Sequence, residues 1–241
     1  MMYRSSGYVK TTAWTLMIAL VMTLLPAFAI AASIEGGVTG IMPTMPVNPY
    51  ADVLGTDWFI DDVIFVFDQG LMSGTSTEPM LFSPDVPMTR SMAVNILWKL
   101  RGSPMLADYQ NPYSDVDWQG EYFYAVLWAS ASKIVNGFGD DRLEDGRFGP
   151  EDALTREQMA AVLLEYELHM DQAPRDILMD RMFSDWDEIS IWARNAVNRL
   201  TIQGILGGRP GNLFDPQGVA TRAEFAAVLT RYVKAIGYAE I

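Results

Sequence analysis

Phe82-Ser83-Pro84, Phe148-Gly149-Pro150 and Phe214-Asp215-Pro216 are three copies of one phrase, each followed at the same distance by a Thr-Arg pair. The pairs are Thr89-Arg90, Thr155-Arg156 and Thr221-Arg222, so the arginines stand 66 and 66 residues apart. Spacing that regular marks an internal repeat, which limits the possible architectures before local propensities are weighed.

Each unit opens with an aromatic, a small residue and an aspartate: Tyr50-Ala51-Asp52, Tyr113-Ser114-Asp115 and Phe183-Ser184-Asp185. Apolar periodicity then predicts a helix near 58–69, 121–132 and 192–203, with Val63 and Val66, Val126 and Ala129, and Val197 and Leu200 on one face. The Asp and Ser ahead of it are expected to accept its first N–H groups. Gly70 and Gly204 stand where a helix stop needs left-handed backbone, with Lys133 in the middle copy. Four residues on, Gly74, Gly137 and Gly208 mark a turn or a close backbone approach. The threonine starts a second helix. Thr221 with Glu224 and Thr155 with Gln158 form capping boxes, whereas Thr89 with Met92 keeps only the cap. One apolar stripe recurs on this helix as Ala93, Ile96, Leu97 and Leu100, as Met159, Val162, Leu163 and Tyr166, and as Phe225, Val228, Leu229 and Tyr232. Two helices cannot bury both their faces alone. The expected fold is therefore all-α: three tandem helix-loop-helix repeats forming a pseudo-threefold bundle with grooves between repeats.

The ends and composition narrow the class. Arg4 and Lys10, an apolar run from Thr11 to Leu25, Pro26 and the small residues before Ala29 and Ala31 have the layout of a secretory signal peptide. The run is short beside the ~20 residues a membrane span needs, so the expectation is export with no span after cleavage. The domains expected are a signal at 1–31, a linker at 32–47 and repeats at 48–104, 111–170 and 181–238, with no payload domain. Losing residues 1–31 removes two of 17 basic side chains, leaving 15 against 30 acids and a charge of about −15. That argues against a nucleic-acid surface. There is no cysteine, so the core rather than disulfides must hold the fold. No cofactor or metal is expected. His169 is the single histidine, placed at a helix end facing solvent. The acidic loop Asp140, Asp141, Glu144 and Asp145 fails as a calcium loop, because aligning Gly146 with the turn puts Leu143 at a ligand position.

An arginine in the first helical turn sits at the end of the dipole that prefers anions, and three in register need a reason. One is a structural pair with Asp52, Asp115 or Asp185. The other is an anion site built from the guanidinium, the free helix-start N–H groups and the glycine-loop amides. The residues alone leave both open.

The order aromatic-x-Asp, Trp, helix-stop glycine, Gly, Phe-x-Pro and Thr-Arg-Ala-Glu resembles the S-layer homology domain, in three copies covering about 48 to 238. The resemblance implies a protein of the bacterial cell wall that binds an anionic secondary cell-wall polysaccharide, often through a pyruvyl ketal, with no catalytic residues. It implies ligand contacts at Arg90, Arg156 and Arg222, at Asp52, Asp115 and Asp185, at Gly74, Gly137 and Gly208, and at Trp58 and Trp192. The second copy departs, with Glu121 where the tryptophan belongs. That acid is expected to weaken the Arg156 site, ranking Arg222 and Arg90 above it, while Met92 weakens a cap rather than a contact. An Arg222→Ala change is expected to cost binding and, if the arginine serves the ligand rather than the fold, to leave unfolding nearly unchanged. Competing functions are an envelope linker acting through other envelope proteins and a glycan hydrolase using paired carboxylates.

Overall fold

The computed structural model describes residues 47–107, 109–137, 146–170 and 182–237. The expected signal peptide and the acidic loop at 140–145 lie outside the described residues. Among those described, six α-helices carry the structure: α1 (Ile60–Asp68), α2 (Arg90–Leu100), α3 (Phe123–Ala131), α4 (Arg156–His169), α5 (Arg194–Ile202) and α6 (Arg222–Ala235). A two-stranded antiparallel hairpin pairs Ser76–Thr77 with Met80–Leu81, and a 3-10 turn spans Trp186–Glu188. No described helix is long and apolar enough to cross a membrane.

The second helix of each repeat begins at its arginine with threonine as the cap. Thr155 and Thr221 form complete capping boxes with Gln158 and Glu224, and Thr89 accepts only the Met92 N–H. The stripe on α2, α4 and α6 is buried throughout. The first helices start two residues later than the periodicity predicts, and Phe59, Tyr122 and Ala193 at their starts make no side-chain capping bond. Gly70 and Gly204 take positive φ at the helix stop, and Lys133 does the same at φ 58°.

Packing is between repeats. Helix α2 packs on α3, α4 on α5 and α6 on α1. The α4–α5 contact contains a buried ion pair, with Arg199 Nε 3.0 Å from Glu167 Oε2. Ahead of the second helices, Met88 donates its N–H to Ala220 O (2.9 Å), Ala220 to Leu154 O (2.9 Å) and Leu154 to Met88 O (2.8 Å). Those three bonds close a ring, so each repeat touches both of the others.

Candidate functional site at the seams between repeats

The three aspartates hold the Phe-x-Pro loops of their own repeats. Asp52 accepts the N–H groups of Phe82 (2.8 Å) and Ser83 (2.7 Å), Asp115 those of Phe148 (2.7 Å) and Gly149 (2.8 Å), and Asp185 those of Phe214 and Asp215 (both 2.7 Å). This corrects their expected role as caps of the first helix. The clamp is needed because the middle residue of each loop is left-handed: Ser83 at φ 57°, Gly149 at 70° and Asp215 at 56°. Two charge-assisted bonds to consecutive amides stabilise a conformation that an L-residue otherwise disfavours.

Each arginine reaches the same loop, but in the next repeat. Arg90 Nε donates to Phe148 O (2.9 Å), Arg156 Nε to Phe214 O (2.7 Å) and Arg222 Nε to Phe82 O (2.8 Å). Their Nη2 atoms donate to Asn136 O (2.8 Å), Gly207 O (2.9 Å) and Ser73 O (2.7 Å), one residue before Gly137, Gly208 and Gly74. Each guanidinium also lies over the ring of the phenylalanine it bonds, 4.6–5.1 Å from the centroid. The arginines are 7, 4 and 6% exposed, and burial lowers their pKa. Asp and Arg therefore meet through a shared peptide, the acid on its N–H side and the cation on its carbonyl.

The helix-start N–H groups that the sequence offers to an anion are occupied. Arg90 and Ser91 donate to Asp152 O and Pro150 O, Arg156 and Glu157 to Gly218 O and Pro216 O, and Arg222 and Ala223 to Val86 O and Pro84 O. The third N–H goes to the threonine cap. An anion must look elsewhere for donors.

Gly74, Gly137 and Gly208 are the expected close approach. An added Cβ would lie 2.7 Å from Leu81 O, 2.4 Å from the Tyr113 ring and 2.8 Å from the Phe183 ring. No side chain fits there, and at Gly74 and Gly208 the loop backbone becomes the wall of a cavity.

Two such cavities are well formed. One, of about 360 Å³, joins Ser73, Gly74, Met92, Lys99, Glu121, Tyr122 and Arg222. The other, of about 470 Å³, joins Trp58, Arg156, Gly208, Arg209, Glu224 and Arg231. Each draws on all three repeats: an arginine from one, the glycine loop and second helix of the next, and the first-helix start of the third. Trp58 is 64% exposed at its rim. Trp192 is 58% exposed, outside both cavities.

Two expectations change here. Glu121 lies beside Arg222, not Arg156, and with Glu151 it adds to the burial that raises the Tyr122 pKa. The expected ranking of the arginines thus loses its basis. Met92 lines the Arg222 cavity at the register where Glu224, in the other cavity, accepts from Arg156 Nη1 at 3.2 Å. With methionine there, Arg222 Nη1 has no partner among the described residues and is available to a carboxylate. Sequence reasoning missed Arg209, Arg231 and Glu224 as cavity residues. The step of 66 that relates the arginines also relates Lys99, Glu165 and Arg231, a signal that was present.

A family model for the S-layer homology domain matches residues 112–160 and 183–226. Over 154 residues the chain is 35% identical to the cellulosome-anchoring protein of Acetivibrio thermocellus, covering 63% of this chain and 33% of that protein. It is 30% identical over 176 residues to an amylopullulanase of Thermoanaerobacterium thermosulfurigenes, 72% of this chain and 9% of the enzyme. It is 24% identical over 215 residues to an S-layer protein of Bacillus thuringiensis subsp. finitimus, 85% of this chain and 24% of that protein. The chain thus spans a third or less of each of these relatives. It carries the S-layer homology domain at those two segments and is a bacterial cell-surface protein attached to the wall.

Proposed function

We propose that this chain is a non-catalytic anchor whose three repeats, closed as a pseudo-threefold bundle, bind an anionic, pyruvylated secondary cell-wall polysaccharide in the seams. The observation that carries it is the make-up of the two cavities. Each combines a buried guanidinium, a wall of glycine backbone and an aromatic side chain from a third repeat. A terminal acidic sugar suits that arrangement, its carboxylate on the cation and its ring against Trp58 or Tyr122. The segment 48–104 lies outside both family matches, yet it shares the aspartate clamp and the arginine contacts, which supports a third copy of the domain. The matches to enzymes cover small fractions of them, as expected if only their anchoring region is shared. A link to other envelope proteins is a second reading, favoured by the likeness to a cellulosome-anchoring protein.

The test is co-sedimentation with wall fragments before and after chemical removal of the non-peptidoglycan polymer. Binding is expected only before removal. Equal binding to bare peptidoglycan would refute the proposal.

A further inference from the structure

We propose that the Arg156 seam is the chain's dominant acidic-sugar site, with Arg209 as its specificity-determining residue. This rests on the glycan reading above and adds which seam and which side chain select the ligand. The 470 Å³ cavity brings three guanidinium groups, Arg156, Arg209 and Arg231, against one lining carboxylate, Glu224. Glu224 Oε1 is shared, 3.2 Å from Arg156 Nη1 and 2.9 Å from Arg209 Nη2. Arg209 also pairs with Asp215. Burial draws the Arg209 pKa down, but the hydrogen bonds and charges of Glu224 and Asp215 outweigh it and leave the pKa raised. The group is thus charged and held in one orientation by two acids. Arg231 is placed by its bond to Ile205 O (3.4 Å). The ensemble keeps a net positive charge facing the cavity, beside the exposed face of Trp58.

The other seams lack this combination. In the Arg222 seam the residue after the loop glycine is Thr75 rather than Arg209, Lys99 replaces Arg231, and Glu121 faces the cavity in place of Trp58. In the Arg90 seam the register of Arg231 is held by Glu165, an acid whose pKa is raised by burial. Against its one lining acid the Arg156 seam sets three cations, the Arg222 seam two, and an anion gains most where the cationic excess is larger.

Calorimetric titration of the purified chain with a methyl glycoside bearing a pyruvyl ketal tests this, with its neutral methyl ester and methyl phosphate as further probes. One dominant site for the acidic glycoside is expected, with little binding of the ester. Arg209→Gln should weaken it at least about tenfold, and Lys99→Gln should weaken it less. Arg209 is partly exposed on a loop, and an unchanged melting temperature shows that the variant folds. Wild-type affinity in Arg209→Gln, or a loss in Lys99→Gln as large as in Arg209→Gln, overturns the proposal. Arg209-dependent binding of methyl phosphate alone keeps the seam and removes the pyruvyl ligand. No binding of either acidic probe removes both.

Discussion

Arg222 is 6% exposed, and its guanidinium stays in place because two carbonyls of another repeat receive it. Removing it strands the carbonyls of Phe82 and Ser73 and uncovers a phenylalanine face. Arg222→Ala should therefore lower stability by about 2–4 kcal/mol, since bonds to a charged donor contribute more than neutral ones. Arg222→Lys should recover less than half of that, because an ammonium cannot span both carbonyls as a planar fork does. Urea unfolding followed by tryptophan fluorescence measures both, and an unmoved midpoint would mean that water replaces the guanidinium without loss. The residues alone left open whether the arginine serves the fold or a ligand, and these bonds give it a part in the fold. The sequence makes the arginine conspicuous by its register. It cannot reveal the partners, which lie 140 and 149 residues away and are backbone atoms without a side-chain signature. Arg209 was illegible for another reason: it has no counterpart in the repeat pattern, and only its neighbours Glu224 and Asp215 single it out.

Helix beginnings were legible where the chain writes them in hydroxyl groups and illegible where it does not. Thr89, Thr155 and Thr221 fix the starts of α2, α4 and α6, while the starts of α1, α3 and α5 are set by packing and drift from the apolar period. Helix ends behave alike, with Gly70 and Gly204 in the left-handed conformation that their positions need. Lys133 adopts it too, at φ 58°, and carries a steric cost that glycine avoids. Lys133→Gly is expected to stabilise the protein by about 0.5–1 kcal/mol, the relief at φ > 0 exceeding glycine's greater freedom when unfolded. A rise in melting temperature with an unchanged circular dichroism spectrum is the expected record. A fall would mean that the lysine makes a stabilising contact larger than its strain.

The pairing of helices was not legible. Stripes of identical register on α2, α4 and α6 let any first helix bury equally well against any second one, and only the folded structure shows that each second helix packs on the following repeat, with α6 returning to α1. That cyclic order predicts that the three repeats unfold as one cooperative unit. Ending the chain near Arg175 removes α5 from α4 and α6 from α1, and with them Val197, Leu200, Phe225, Leu229 and Tyr232, all buried. At about 1.5–3 kcal/mol for each large apolar side chain, that loss rivals the whole stability of about 5–15 kcal/mol typical of a domain. Polar losses add to it: Arg156 forfeits Phe214 O, Gly207 O and Glu224, and Met88 N–H forfeits Ala220 O. A buried cation left without partners is strongly destabilising. The shortened chain should be unfolded or aggregated, or folded only in association with a second copy that supplies the missing faces. Thermal melts and light scattering on the two chains decide the matter, and a monomer melting as sharply as the full chain would show that two repeats suffice for a core and that seams shared among three are not what holds this fold together.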